Sequence, residues 1–301
     1  MTANSSGVVR SVIQTLRIRH WAKNLLLFAP AAAAHSLHYP VFVDLLLGFL
    51  AFSAFASAVY VVNDLIDIEH DRQHPRKKHR AFASGALSVG HARLLLAVLG
   101  LIGLAVAFNL PEQFSAVLVG YLVLNVIYSL VLKNLLMIDV LALTSFYVLR
   151  LVAGGLIAGV ALSGWFIAFF TLLLASIAMS KRVAELQTND LLDRKKVPGR
   201  AYRVEDFHVL SMVGIASAVS AIVVYGLYIS DHAVATLYPN PEFLWAGLPL
   251  MLYWVGRMWI LIGRGELSDD PVDFLVRDPT TYAVAVGVAL SVWVASLSSL
   301  G

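Results

Sequence analysis

The stretch NDLIDIEHDRQHPRKKHR, residues 63–80, concentrates side chains able to hold a metal ion and phosphate groups. Asn63, Asp67 and Asp71 recur at intervals of four, and Asp64 lies three and seven residues before Asp67 and Asp71. On a helix this spacing sets four oxygen-bearing groups on one stripe. Carboxylates stacked so closely repel one another. A divalent cation relieves that repulsion, and hard oxygen ligands favour Mg2+ over zinc. The basic run that follows, with Arg72, Lys77 and Arg80, supplies donors for outer phosphate oxygens. The plainer alternative is a solvated loop whose Lys77, Lys78 and Arg80 orient the chain and meet anionic lipid. His70, His74 and His79 make no evident tetrahedral zinc set, and the chain has no cysteine.

A second polar cluster, SKRVAELQTNDLLDRKK, spans residues 180–196. Lys181, Glu185 and Asn189 are spaced by four, Arg182 neighbours them, and Asp190 and Asp193 follow. Cations lie deepest and carboxylates further out, a composition suited to several phosphates with a metal; an ion-paired helix end is the structural alternative. Tyr128 and Lys133 close an apolar run, where tyrosine belts and snorkelling lysines are ordinary. DDPVDFLVRDP, 269–279, either caps a site or forms a polar loop.

The elements that must carry these clusters are apolar. Of 301 residues 59% are hydrophobic and 14% charged, against roughly 45–50% and about 25% in a soluble domain. A soluble fold, disorder and a nucleic-acid-binding domain are excluded, and the net charge of +3 offers no basic surface for nucleic acid. The absence of cysteine excludes disulfides, thiolate metal sites and a cysteine nucleophile. The N-terminal stretch has neither the apolar core nor the cleavage site of a signal peptide. Apolar runs predict an all-α polytopic membrane protein, a single integral domain over 1–301. Its nine expected spans lie at about 22–37, 41–63, 93–109, 114–132, 135–159, 164–181, 207–229, 241–263 and 281–300. Pro30 interrupts the first.

Twenty of the 22 lysines and arginines then fall on one side, in the N-terminal tail and the even-numbered connections. The positive-inside rule places that side, and the N-terminus, in the cytoplasm of a multi-pass cell (inner) membrane protein. Arg257, near a cytoplasmic helix end, is expected to snorkel. Arg150, about 15 residues into the fifth span, needs a partner or a watered cavity. Asp139 precedes it by three turns on the same helix face, too far for a direct pair, so both are candidates to line one inward cavity. Gly154, Gly155 and Gly159 read as close helix packing.

NDLIDIEHD resembles the NDxxDxxxD motif of the UbiA-type intramembrane prenyltransferase superfamily, which implies nine transmembrane helices around a central cavity. RIRHWAKN (17–24), SAVYVVND (57–64), HDRQHPRKKHR (70–80), YSLVLKN (128–134), SKRVAELQ (180–187) and DPVDFLVRD (270–278) narrow the likeness. Together they resemble the decaprenyl-phosphate phosphoribosyltransferases over nearly the whole chain; Ala81 departs from the pattern, in which a proline usually follows the arginine. The resemblance implies transfer of a phosphoribosyl group from 5-phosphoribosyl-1-diphosphate to a polyprenyl phosphate, with release of pyrophosphate and a role in lipid-linked arabinose donor synthesis. It also implies that Asn63, Asp64, Asp67 and Asp71 hold Mg2+, and that catalysis draws on these aspartates with Lys181 and Glu185. Substrate contacts fall to Lys23, Asn63, Arg72, Lys77, Arg80, Tyr128, Lys133, Asp139, Arg150, Lys181 and Arg182. The expected partners are these two substrates and membrane lipid; a homo-oligomer is also admitted.

Two other functions use the same features. A UbiA-type prenyltransferase that alkylates an aromatic acceptor needs the same metal–diphosphate chemistry, but such enzymes usually carry a second DxxxD, where Asp190 and Asp193 give DxxD. The donor-binding motif of soluble phosphoribosyltransferases is absent, so the choice of donor rests on the resemblance. A transporter or flippase should carry ionisable groups at several depths, and this chain has few.

Overall fold

A computed structural model describes residues 5–73, 77–191, 200–266 and 271–297, and within them every regular element is a helix. In chain order these are α1 (Ser5–Leu16), α2 (Ala29–Ala33), α3 (Tyr39–Ile66), α4 (Ile68–Gln73), α5 (Val89–Ala107), α6 (Glu112–Leu130) and α7 (Ile138–Ala158). They continue with α8 (Gly164–Leu191), α9 (Phe207–Ile229), α10 (His232–Leu237), α11 (Gly247–Gly263), α12 (Pro271–Leu275) and α13 (Pro279–Ala295). Tighter 3-10 turns join them, the longest over Ile18–Phe28.

Seven of the described helices are long and apolar enough to cross a membrane. Their outer faces are greasy: Leu101 is 71% exposed, Val119 58% and Val223 56%. Such a belt needs lipid, so the chain is a multi-pass membrane protein. Seven of the nine expected spans have a helix of this kind. The expected first one does not: Ile18–Phe28 winds as 3-10 helix and only five residues of α-helix follow. Pro30 has no N–H to donate and its ring crowds the carbonyl one turn back, so an α-helix cannot run through it. The last expected span appears as α13, an apolar helix of 17 residues.

The chain divides into two compact units. The first comprises residues 1–126 and 149–161. Here α1, absent from the expected spans, lays Val8, Val12 and Leu16 on a core that includes Val61, Phe82 and Leu99. The 3-10 segment is pinned to α3 by side chains: Asn24 Nδ2 donates to Ser53 Oγ at 2.9 Å and Trp21 Nε1 to Ser57 Oγ at 3.0 Å. Gly154 lets the second half of α7 approach this segment, since a Cβ there would stand 2.0 Å from the Leu27 carbonyl oxygen. That is the close packing expected of the glycine pair.

The second unit comprises residues 127–148 and 162–301. Its core gathers Val140, Val183, Tyr202, Leu210, Met258 and Ile262. Gly214 on α9 makes room for Trp259 of α11, whose indole N–H donates to Ser176 Oγ on α8 at 3.1 Å. Arg257 does not snorkel to solvent: its Nη1 and Nη2 donate to the two carboxylate oxygens of Asp278 at 2.8 and 3.0 Å.

Candidate active site

In the first unit the polar site forms where α3 gives way to α4. The expected stripe is interrupted at Asp67, which caps α3 with φ −89° and ψ 5° and is exposed. Stacked like charges and the poor helix propensity of aspartate account for the break. Asp64 and Asp71, two turns apart, remain on a common side; they are 5% and 2% exposed. Arg80 joins them, its Nη1 lying 2.8 Å from Asp71 Oδ2 and 3.3 Å from Asp64 Oδ1. Arg17 Nη2 reaches Asp64 Oδ1 at 2.7 Å, with its guanidinium 4.4 Å above the centre of the Tyr60 ring. Arg17 has φ +50°, a backbone conformation uncommon outside glycine.

The other expected residues of this unit differ in burial and in partners. Asn63 is half-buried on α3. Arg72 turns away, donating to Glu69 Oε1 and to the Ala83 carbonyl, both at 3.3 Å. Lys77 is exposed and Lys23 half-buried. Arg150 is buried with a polar partner, as expected: Nε donates to Asn24 Oδ1 at 2.7 Å and Nη2 to the Tyr121 hydroxyl at 3.4 Å. Its cation lies 5.0 Å from the Tyr121 ring centre and 5.6 Å from that of Phe52.

The second unit builds its own polar network around Arg182, which is 1% exposed. Arg182 Nε stands 2.6 Å from Asp139 Oδ2, an ion contact in which the N–H is not aimed squarely at the oxygen. Nη1 donates to Glu185 Oε2 at 2.6 Å, and Nη2 to the Tyr128 hydroxyl at 3.0 Å. Asp139 is fully buried in the first turn of α7, where the helix dipole favours a carboxylate. Its Oδ1 accepts from the Tyr202 hydroxyl at 2.5 Å, and the same hydroxyl accepts from the Met137 N–H at 3.1 Å. Burial, and then the bond to Asp139, push the Tyr202 phenol well above its ordinary range and keep it a donor. Arg200 Nη1 completes the group, donating to the Tyr128 hydroxyl at 2.9 Å and more weakly to the Lys133 carbonyl at 3.5 Å. Lys181 and Lys133 are half-buried beside these residues in the chain.

Asp139 and Arg150 therefore engage different partners, Asp139 with Arg182 and Tyr202 and Arg150 with Asn24 and Tyr121. Arg17, Arg200 and Tyr202 were not among the expected site residues. Arg17 opens the RIRHWAKN stretch that carries part of the resemblance, Arg200 counts only among the orienting charges, and Tyr202 has no local signal. Arg76, His74, Asp193, Arg194, Lys195, Lys196 and residues 267–270 lie outside the described residues, as do the side chains of His70, Asn189 and Asp190.

Whether the first site fits a metal depends on its donors. No three histidine, aspartate or glutamate side chains gather as a cage among the described residues. Mg2+ needs no such cage, since it is usually held by one or two carboxylates, water and substrate phosphate. Asp64 and Asp71 offer two buried carboxylates, both turned to the same cationic nitrogen of Arg80. That donor set suits a hard divalent ion.

Residues 24–277 match the UbiA prenyltransferase family. The chain belongs to the UbiA prenyltransferase family. Among its UbiA relatives, decaprenyl-phosphate phosphoribosyltransferase of Mycobacterium tuberculosis is 29% identical over 310 residues, covering 99% of this chain and 97% of that one. Nodulation protein NoeC of Azorhizobium caulinodans is 31% identical, covering 92% and 90%. The uncharacterized protein y4nM of Sinorhizobium fredii is 33% identical over 96% of this chain, which spans only 56% of that longer relative. A UbiA homolog from Archaeoglobus fulgidus bound to GPP and Mg2+ superposes with a TM-score of 0.67 at 17% identity, covering 95% and 100%, a likeness of fold. UbiA membership makes the chain a membrane transferase.

Proposed function

We propose that this protein transfers the phosphoribosyl group of 5-phosphoribosyl-1-diphosphate to a polyprenyl phosphate, working as one catalytic membrane domain. The observation that carries the proposal is the buried Asp64–Asp71 pair gripped by arginine, in a UbiA chain similar end to end to decaprenyl-phosphate phosphoribosyltransferase. The anomeric C1–O bond to the diphosphate breaks, pyrophosphate leaves, and an oxygen of the lipid phosphate forms the new bond to C1. Negative charge grows on the departing diphosphate. Asp64 and Asp71, with Asn63 and Asp67 beside them, would hold Mg2+, which when bound would supply charge stabilisation for the leaving diphosphate.

The chain's own residues do the remainder. Arg17 and Arg80, now on the carboxylates, are placed to donate to diphosphate oxygens, where preorganised donors lower the barrier most. Arg72, Lys77 and Lys23 add positive potential. Lys181, Arg182 and Glu185, with Lys133 and Tyr128, order phosphoryl groups in the second unit, and Asp139 holds Arg182 in place. Arg150 keeps the 3-10 segment against α7 through Asn24. The acceptor phosphate is anionic near neutral pH, so no strong base is required. Its apolar tail lies against the helices, which is why a sugar-phosphate enzyme sits in a membrane; the charge asymmetry supports a polar face on the cytoplasmic side of the inner membrane. The product is an arabinose-donor precursor in this reading.

Purified protein given both substrates and Mg2+ is expected to release pyrophosphate in equal amount to a new lipid product. Pyrophosphate release that needs no lipid phosphate would refute the proposal.

A further inference from the structure

Arg200 belongs to no motif that led to the site, yet its surroundings are unusual for a loop arginine. Its Nη1 and the Nη2 of Arg182 both donate to the Tyr128 hydroxyl, at 2.9 and 3.0 Å. A phenol oxygen has two lone pairs and one proton, so these two bonds use both lone pairs. The hydroxyl proton has no acceptor among the described residues, and neither do Nε and Nη2 of Arg200. Arg182 is neutralised on its other edges by Asp139 and Glu185, whereas Arg200 has no carboxylate partner among the described residues. Arg200 and Tyr128 are both half-buried, so the open donors sit at the rim of the buried network.

We propose that Tyr128 and Arg200, braced by Arg182, form a subsite for a phosphoryl oxyanion, with Arg200 a substrate-binding residue. The Tyr128 O–H and the free edge of Arg200 supply donors from two directions, and the guanidinium supplies the charge. A phosphoryl group, with several oxygens and an anionic charge, fits that set better than a neutral ligand. Tyr128 lies two residues from the end of α6, at the depth where a span meets lipid headgroups. The anion is accordingly either the headgroup of a lipid phosphate or the phosphate of a soluble substrate. This rests on the phosphoribosyl-transfer reading only for the identity of those substrates.

The test is binding, measured on the full chain in detergent with two probes, dodecyl phosphate and inorganic pyrophosphate. Arg200→Gln and Tyr128→Phe are each expected to weaken the same probe by about tenfold, the loss of one charge-assisted hydrogen bond. Arg200→Lys, which keeps the charge without the fork, should recover part of the loss. Unchanged melting temperature separates this from unfolding, and Arg200→Lys serves if Arg200→Gln does not fold. Weakening of dodecyl phosphate alone assigns the subsite to a lipid headgroup; of pyrophosphate alone, to a soluble substrate; of both, to phosphoryl groups in general. Affinities for both probes within about twofold of wild type in every variant would overturn the proposal. Intact anion binding through Arg200 without phosphoribosyl transfer would instead refute the reaction and leave the subsite standing.

Discussion

At the smallest scale the proposed reaction rests on Asp64 and Asp71, two buried carboxylates held by Arg80 with Arg17 also on Asp64, because buried charges are costly unless charged partners meet their oxygens. Asp71→Asn preserves shape and removes one charge. It is expected to cut Mg2+-dependent transfer by about 10–100-fold, with helix content unchanged by circular dichroism; near-normal turnover would remove Asp71 from the proposed metal site. Asp278 makes a prediction about pH. Burial alone would raise its carboxyl, but hydrogen bonds from Arg257 and Thr281 outweigh that and hold it below the ordinary range. A depressed native value means stabilisation that is present above the unfolded value near 4 and is lost as pH falls through the native one. Asp278→Asn keeps an acceptor for the Thr281 N–H and loses the charge. It should therefore melt below wild type at neutral pH, with the gap narrowing as pH falls below the ordinary carboxylate value near 4 and through the lower native one. A gap of equal size at both pH values would contradict the ion-pair account.

At the scale of elements, the long apolar helices were legible because their composition decides them. α5, α6 and α9 begin and end near the boundaries drawn from apolar runs and turn residues, whereas α8 runs on to Leu191, past its expected end at 181, and α11 begins at Gly247, behind a 3-10 turn over Pro241–Ala246. Where local geometry competes with composition, the reading failed. Pro30 and the positive φ of Arg17 turn an expected span into a 3-10 segment, and charge repulsion ends α3 before Asp67. The Tyr128–Arg182–Arg200–Tyr202 network was illegible for another reason. Its members are brought together across 54 to 72 residues of sequence, and no local period marks such contacts. The glycine packing was readable as a pattern but not as a partner. Gly154→Ala would drive a methyl into the Leu27 carbonyl, backbone that cannot move aside. It is expected to cost about 2–3 kcal/mol in detergent unfolding; an unchanged midpoint would mean that α7 and the 3-10 segment are not in contact.

For the whole molecule, the excess of lysine and arginine on alternate connections makes a prediction that the chain is well suited to test. It contains no cysteine, so single cysteines report accessibility without background. Lys78→Cys is expected to label from the cytoplasmic side and Pro111→Cys from the opposite one; the reverse pattern would invert the assigned topology. Under the proposed reaction orientation matters, because a soluble phosphoribosyl donor would be available on one side only, while the apolar belt would serve a lipid acceptor. The central claim is the identity of the group transferred. Membranes containing the protein, Mg2+ and a polyprenyl phosphate should be given ribose-labelled 5-phosphoribosyl-1-diphosphate in one reaction and a labelled prenyl diphosphate with an aromatic acceptor in another. Label is expected in a lipid in the first reaction and no product in the second. Prenylated product without any ribose-labelled lipid would contradict the account.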